Sequence, residues 1–432
     1  MTTTTDRAPH RLRRNARYIT WLVSDTTKGL AGALFGFALP LLTLMVTGDP
    51  AQAGIIGAVG MGVRTLTTLY GGVLADRHSR IGLMIIGSAT GALISLAFTL
   101  LASGGALTFT ALLVTTVLLA LRGGLFDVAG ESAIKQVVPA EAMGRAQAAN
   151  QARDAALQLA GGPLGGALLA VGGWLIGAVM ALCHAIATAT AWMLRTGAPT
   201  GPEQPAASAT PSRPRRSALT EMREGFGWLL ARRDLRAVLF ISTIINLGFN
   251  AGVTTVIFAL QQAGESPAVI GWLSAGSGAA MLVGALVAPV LVPRIRAGIL
   301  TVAGLAAAAL GVALMSQIDG AWLLTGVLAA SVLLIPALNA GLMGYFMVAV
   351  PTELLGRANS ATMVLGMGAM PLGPLIAGFG LTWVGREATL LFCAALCAVA
   401  LLLAVGSGSL RSIPTEAGWA EHAALFDAPR TR

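Results

Sequence analysis

Charge is what this chain has least of. Of 432 residues only 11% are Asp, Glu, Lys or Arg, against about a quarter in a typical soluble domain. With 55% hydrophobic residues and a mean hydropathy of +0.76, several soluble domains could not cover their own apolar surface. Cysteine is scarce too. Cys183, Cys393 and Cys397 all lie inside apolar runs, which excludes a disulfide framework or a metal-ligand spacing and leaves them as packing residues. Lysine is limited to Lys28, followed by Gly, and Lys135, followed by Gln, so no G-x-x-x-x-G-K-[ST] loop exists for an ATP-driven pump. No clustered histidines suggest a membrane enzyme, since His10 and His422 lie in the tails, and His184 beside Cys183 reads as packing. Residues 1–18 are polar and basic with no apolar core, so no cleaved signal peptide is expected.

What is present is a series of apolar runs of about 20 residues, the length that crosses a ~30 Å hydrocarbon layer. The runs are too long, and lack the period of two, to be strands. They predict an all-α polytopic membrane protein with twelve transmembrane helices. The first six spans fall at 19–46, 51–75, 81–102, 107–130, 147–171 and 174–194; the second six at 237–261, 268–292, 298–317, 321–349, 359–383 and 388–409. Of the 28 basic residues, 24 fall on the two tails and alternate joints, one (Arg386) on the opposite joints, and three (Lys28, Arg64, Arg122) within spans. That asymmetry predicts cytoplasmic N- and C-termini. The net charge of +9 is thereby read as membrane topology rather than nucleic-acid binding.

The implied organisation is an N-terminal tail (1–18), a six-helix bundle (19–195), a linker (196–236), a second six-helix bundle (237–410) and a C-terminal tail (411–432). Residues 196–218 are rich in Pro, Ala and Ser, and 219–235 read as an amphipathic helix with Leu219, Met222, Phe226, Leu229 and Leu230 on one side. Its arginines Arg223, Arg232 and Arg233 suit an anionic leaflet. A shift of 212 residues superposes the halves: VPAEAMGRAQ (138–147) falls on VPTELLGRAN (350–359), Gly36-Phe37 on Gly248-Phe249, and Gly72 on Gly284. In span 5, GGPLGG (161–166) faces LGPLIAG (372–378). The constant register implies duplication of a six-helix unit, an architecture of known transporters.

The joint between spans 2 and 3, GGVLADRHSR (71–80), resembles the G-x-L-A-D-R-x-G-R-K loop of the major facilitator superfamily through Gly72, Leu74, Ala75, Asp76, Arg77 and Arg80, with Ser79 and Ile81 departing from it. Arg122 in LRGG resembles the span-4 arginine of that superfamily. Gly162, Pro163, Gly165 and Gly166 resemble its exporter motif G-P-x-x-G-G, one spacer residue short. The run from Leu121 to Gln151 is similar to the drug- and siderophore-exporting branch. The resemblance implies a cytoplasmic gate in which Gly72 allows close helix approach, Asp76 sits at the N-terminus of span 11, and Arg77 pairs with an acid such as Asp127. The second half has Ala288 where Asp76 stands, so the gate should be one-sided.

Ionisable residues inside a bilayer are functional candidates by default. Here they are Asp25, Lys28, Arg64 and Arg122, with Asp127, Glu131 and Asp154 nearer the span ends. Asp25 and Arg122 lie at similar depths, roughly 10 and 12 Å from the cytoplasmic edge at 1.5 Å per residue. That makes an Asp25–Arg122 pair one expectation, with Asp25 as the proton-coupling carboxylate. A structural Asp25–Lys28 pair at i, i+3 is the other. The excess of cations could also hold an anionic substrate. In the second half Asn246, Asn250, Asn339 and Tyr345 are candidate cavity residues, with Phe249, Phe346, Met343 and Met347 as apolar contacts or as ordinary packing.

The expected function is a secondary active transporter in a bacterial inner membrane, exporting a small amphiphilic molecule in exchange for protons. A proton-coupled importer and a non-transporting receptor-like member are the alternatives. No cofactor, metal or nucleic-acid partner is expected, and the expected state is a monomer.

Overall fold

A computed structural model describes the chain except for residues 1–11, 13–14, 140–141, 197–226, 352–353, 355–357, 359–361, 363–365, 367 and 428–432. Residues 197–218 of the expected linker and 219–226 of the expected amphipathic helix lie outside the described residues, as do Glu141, Glu353, Gly356 and Arg357 of the repeat. Of that helix, residues 227–231 are helical, but the expected continuation to 235 is interrupted at Arg232, and 233–235 open the next helix instead.

Six helices make up the first half: α1 (Ala16–Thr47), α2 (Pro50–Arg77), α3 (Arg80–Ser103), α4 (Phe109–Val137), α5 (Met143–Val171) and α6 (Gly173–Thr196). The second half contains α7 (Arg233–Gln262), α8 (Pro267–Arg294), α9 (Ala297–Met315), α10 (Ala321–Val332), α11 (Ile335–Ala349), α12 (Leu372–Trp383) and α13 (Gly385–Gly406). Two short helices, α14 (Gly408–Arg411) and α15 (Trp419–Asp427), follow. No strand occurs among the described residues.

Ten segments are long and apolar enough to cross a membrane, with α10 and α11 counted as one. That count is of the described residues; the 28-residue α2 and the shorter apolar α12 are further helices at two of the twelve expected span positions. Helices suit this setting because each satisfies its own backbone polar groups where no water can. Side chains close the ends: Asn15 accepts from Tyr18 N–H, Ser79 from Gly82 N–H and Thr108 from Ala111 N–H. The outer surface carries Leu93, Leu182, Leu286 and Leu402, all more than half exposed, as expected where the solvent is lipid.

The expected single span 321–349 is broken between Val332 and Ile335. Pro336 explains the break. It has no N–H to donate to the Val332 carbonyl, and its ring crowds that same carbonyl.

Contacts divide the chain into two units: residues 1–48, 59–203 and 266–271, and residues 49–58, 204–265 and 272–432. Within the first, α1 packs on α4, α5 and α6, and α3 on α4 and α6. Within the second, α7 packs on α12 and α13, and α9 on α10 and α13. Four partnerships recur displaced by one repeat (α1 with α5 and α6 as α7 with α12 and α13, α3 with α4 and α6 as α9 with α10 and α13), whereas the packing of α1 on α4 belongs to the first unit.

Small residues set the closest approaches in the first unit. A Cβ on Gly71 would lie 2.1 Å from the Gly124 carbonyl oxygen, so α2 and α4 touch backbone to backbone there. The expected residue for this role, Gly72, has open space around its Cα instead. One residue along a helix turns the side-chain direction by about 100°, and Gly71 is the member of the pair that faces α4. On α5, Gly161 and Gly165 receive Ala33 and Phe37 of α1, whereas Gly166 lies against the Pro267 carbonyl.

Candidate functional site: a buried ion cluster in the first unit

Asp25 is 4% exposed and lies on the face of α1 that meets α4 and α5. Its Oδ1 is 2.8 Å from Lys28 Nζ, one turn along the same helix, and its Oδ2 is 2.8 Å from Arg153 Nη1 on α5. These are ion pairs by distance; neither Asp25 Oδ1 nor Arg153 Nη1 has an aligned hydrogen-bond partner. Arg153 also bonds Asp154 through Nε (3.1 Å) and Nη2 (2.8 Å), and its guanidinium sits 5.8 Å from the Trp21 ring centroid. Trp21 donates its indole N–H to the Gly130 carbonyl of α4 at 2.9 Å. A Cβ on Gly130 would stand 2.6 Å from Lys28 Nζ and 2.8 Å from Asp25 Oδ1, so only glycine leaves room for the pair.

A second carboxylate, Asp127 on α4, collects three cations. Arg122 Nη2 donates to its Oδ1 at 2.9 Å, Lys28 Nζ lies 3.7 Å from the same oxygen, and Arg64 Nη2 lies 3.5 Å from Oδ2. Arg122 is buried, and its Nε donates to the Gly87 carbonyl of α3 at 2.9 Å. Lys28 links the two carboxylates. Four cations (Lys28, Arg64, Arg122, Arg153) thus share three carboxylates (Asp25, Asp127, Asp154). Mutual pairing is what makes such charges tolerable inside a bilayer.

The structure therefore corrects two expected pairs. Asp25 is not paired with Arg122: equal depth places two residues at one level but does not turn them toward each other, and Arg122 turns to Asp127 and Gly87. Asp127 is not the partner of Arg77, because Lys28, Arg64 and Arg122 already occupy it. The expected i, i+3 alternative, Asp25–Lys28, is present. Asp76 and Arg77 are exposed and have no ion-pair partner among the described residues, whereas Arg80 donates to the Ser132 carbonyl at 3.3 Å. The start of span 11, expected to receive Asp76, lies largely outside the described residues. Arg153 is one of the 24 basic residues whose positions in the sequence carry only the topology signal, and nothing in the sequence separates it from the others.

In the second unit, Asn246 donates to the Gly366 carbonyl at 3.3 Å. Asn250 directs a buried side-chain oxygen with no hydrogen-bond partner toward Gly373, and Asn339 is exposed. Tyr345 departs from its expected place lining a cavity. It is fully buried, donating to Asp234 Oδ2 at 2.7 Å and meeting His422 Nδ1 at 3.0 Å. His422 Nε2 lies 3.0 Å from Ser412 Oγ. Arg232 completes the group with Nη2 on Asp234 at 3.0 Å and Nη1 on the Ala349 carbonyl at 3.0 Å, between the rings of Trp228 and Phe426. The cluster ties α15 to α11 and to the start of α7. In the sequence Tyr345 stands as a lone polar residue in an apolar run, and its partners, Asp234 and His422, come from two distant segments.

A family model for the Major Facilitator Superfamily matches residues 26–374, most of the chain. The chain belongs to the major facilitator superfamily. It is a membrane transporter rather than an enzyme. Among curated relatives, the enterobactin exporter EntS of Escherichia coli (strain UTI89 / UPEC) is 27% identical over 376 residues, covering 82% of this chain and 86% of that one. Among solved structures, a bacterial homologue of the iron transporter ferroportin in an inward-facing state matches with a TM-score of 0.69 at 15% identity, over 92% of this chain and 99% of that one. A mutant of the nucleoside transporter NupG matches with a TM-score of 0.66 at 15% identity, over 90% and 100%. At these identities the structural likeness shows the superfamily fold alone.

Proposed function

We propose that this transporter is a proton-coupled exporter of a small amphiphilic molecule, such as a drug or secondary metabolite, working by alternating access in a bacterial inner membrane. The observation that carries the reading is the cluster around Asp25: a buried carboxylate at membrane depth, held by counter-ions on two helices. An ionised Asp25 is stable while Lys28 and Arg153 stay close. When rearrangement or substrate separates them, burial favours the neutral acid and a proton is taken up. Arg122 belongs to the same circuit through Asp127 and Lys28. The likeness to an enterobactin exporter and the Gly162, Pro163, Gly165 and Gly166 segment support export over import.

In this reading residues 19–195 and 237–410 are the two moving bundles, joined by the 196–236 linker, and both termini are cytoplasmic. Asp76 and Arg77, exposed and without an ion-pair partner among the described residues, belong to a gate with Arg80 on the cytoplasmic side. Arg64, Asn246, Asn250 and Asn339 contribute hydrogen-bonding groups to the substrate path. The monomer is the transporting unit, with the substrate and protons as its ligands.

Inverted membrane vesicles carrying the protein test the reading. Amphiphilic drugs, siderophores and sugars are added in turn after a proton gradient is set, and proton release from the lumen is followed. At least one amphiphile is expected to discharge the gradient, and control vesicles carrying Asp25→Asn protein should show no discharge. Sugars alone discharging it would favour an importer instead.

A further inference from the structure

We infer that Arg153 is the positioning residue that sets the proton affinity of Asp25, so that separation of α5 from α1 is the movement that loads the proton. The inference rests on the proposed coupling role of Asp25 and adds to it the helix contact that controls it. Asp25 has two counter-ions within 4 Å among the described residues, and they differ in kind. Lys28 is on α1 itself, one turn away, and moves with Asp25 whatever α1 does. Arg153 is on α5, so its 2.8 Å contact exists only while α1 and α5 keep their packing.

The rest of Arg153's environment fits such a contact. Its Nε and Nη2 are anchored on Asp154 of its own helix, which leaves Nη1 for Asp25. Its guanidinium carbon lies over the ring of Trp21 of α1, one turn before Asp25. The pair with Asp25 is close but unaligned. An unaligned pair contributes charge without the directional bond that would lock two helices together.

Other groups around Asp25 cannot replace Arg153 in this role. From α4, Asp127 already shares Lys28, Arg122 is bonded to Asp127, and Glu131 adds a further negative charge within electrostatic range. From α6, His184 is buried near Arg122 and does not reach Asp25. From α5, Asp154 is held by Arg153. Removal of Arg153 therefore strips Asp25 of the one cation from another helix that lies within 4 Å of it among the described residues, and leaves its acidic neighbours in place.

The test titrates Asp25 directly in the purified full-length protein, with no ligand added. The infrared carboxylic-acid C=O stretch is followed against pH, and the part that disappears in Asp25→Asn is assigned to Asp25. Arg153→Gln is expected to move the midpoint of that band upward by about one pH unit or more, the scale of losing an adjacent arginine. Arg153→Lys keeps the charge but not the fork onto Asp154, and its midpoint should lie between those of the wild type and R153Q. A purely structural residue would lower the melting temperature and leave the midpoint where it was. An unmoved midpoint in R153Q overturns the inference, and if that variant does not fold, an unmoved midpoint in R153K does so. The proposed transport function fails separately, if the D25N protein still couples flux to the pH gradient.

Discussion

At the residue scale the first unit depends on one missing side chain. Gly130 gives up its Cβ so that Asp25 and Lys28 can meet against α4, and it accepts the Trp21 indole through its carbonyl. Gly130→Ala should insert a methyl group where the ion pair stands. The obstructing atoms are side-chain ends, so the fold should survive at an overpacking cost of about 1–3 kcal/mol. Proton-driven transport should fall at least tenfold in proteoliposomes while protein yield stays normal, and full activity would contradict the geometry. Gly71→Ala is the contrast. Its methyl group would meet the Gly124 backbone rather than a movable side chain, so thermal denaturation in detergent should show a lower melting temperature for G71A than for G130A. The candidate acids and bases inside the spans were legible from sequence because scarcity made each stand out. Their partners were not, because spacing gives depth along a helix but rotation decides contact, which is why Arg122 found Asp127 rather than Asp25.

At the element scale the C-terminal tail is more than a tail. The helix α15 is docked through Trp419, packed against Gly344, and through the Arg232–Asp234–Tyr345–His422 group. Asp234 is fully buried, so Arg232→Ala leaves a carboxylate without its cation and should cost about 3–5 kcal/mol in a denaturation experiment. Tyr345→Phe removes one hydroxyl and strands two partners, at about 1–3 kcal/mol. His422 adds a pH dependence. Burial lowers its proton affinity below that of a free histidine; Asp234 opposes this and Arg232 adds to it. The folded protein thus favours neutral His422, and its stabilising effect is complete above the ordinary histidine value near 6.5. It is lost as pH falls below that value, because the unfolded chain takes the proton first. The melting temperature should drop between about pH 6.5 and 5, and more steeply than in His422→Asn; equal slopes would contradict the assignment. None of this was readable in sequence. An ordinary Gly/Ser/Pro-interrupted stretch precedes Trp419, and the hydrophobic signal of nine residues is too short to announce a docked helix. The break between α10 and α11, in contrast, has its signal in Pro336, though the uniformly apolar run around it reads as one span.

At the scale of the whole molecule, the two units share four helix partnerships, yet the ionisable residues at membrane depth are concentrated in one of them. The first carries the Asp25 and Asp127 clusters, whereas the second offers amides. That difference divides labour in the proposed mechanism: proton handling in the first unit, uncharged recognition in the second. It also separates two expected phenotypes. Substitutions at Asn246 or Asn339 should change which compounds are transported while leaving proton coupling in place, as read by transport profiles across a panel of amphiphiles. Unaltered profiles in both would remove these residues from the substrate path. The membrane architecture, the duplication and the family were all legible in the sequence. Apolar length, a 212-residue register and the Asp76-Arg77 loop are properties of the linear chain, and contact geometry is not.

The most direct test of the central claim uses proteoliposomes containing wild-type or Asp25→Asn protein, loaded with a transported amphiphile and given a defined pH gradient. The wild type is predicted to move the compound against its own gradient. D25N is predicted to exchange it across the membrane without accumulating it. Uphill transport by D25N equal to that of the wild type would show that the proton does not pass through Asp25.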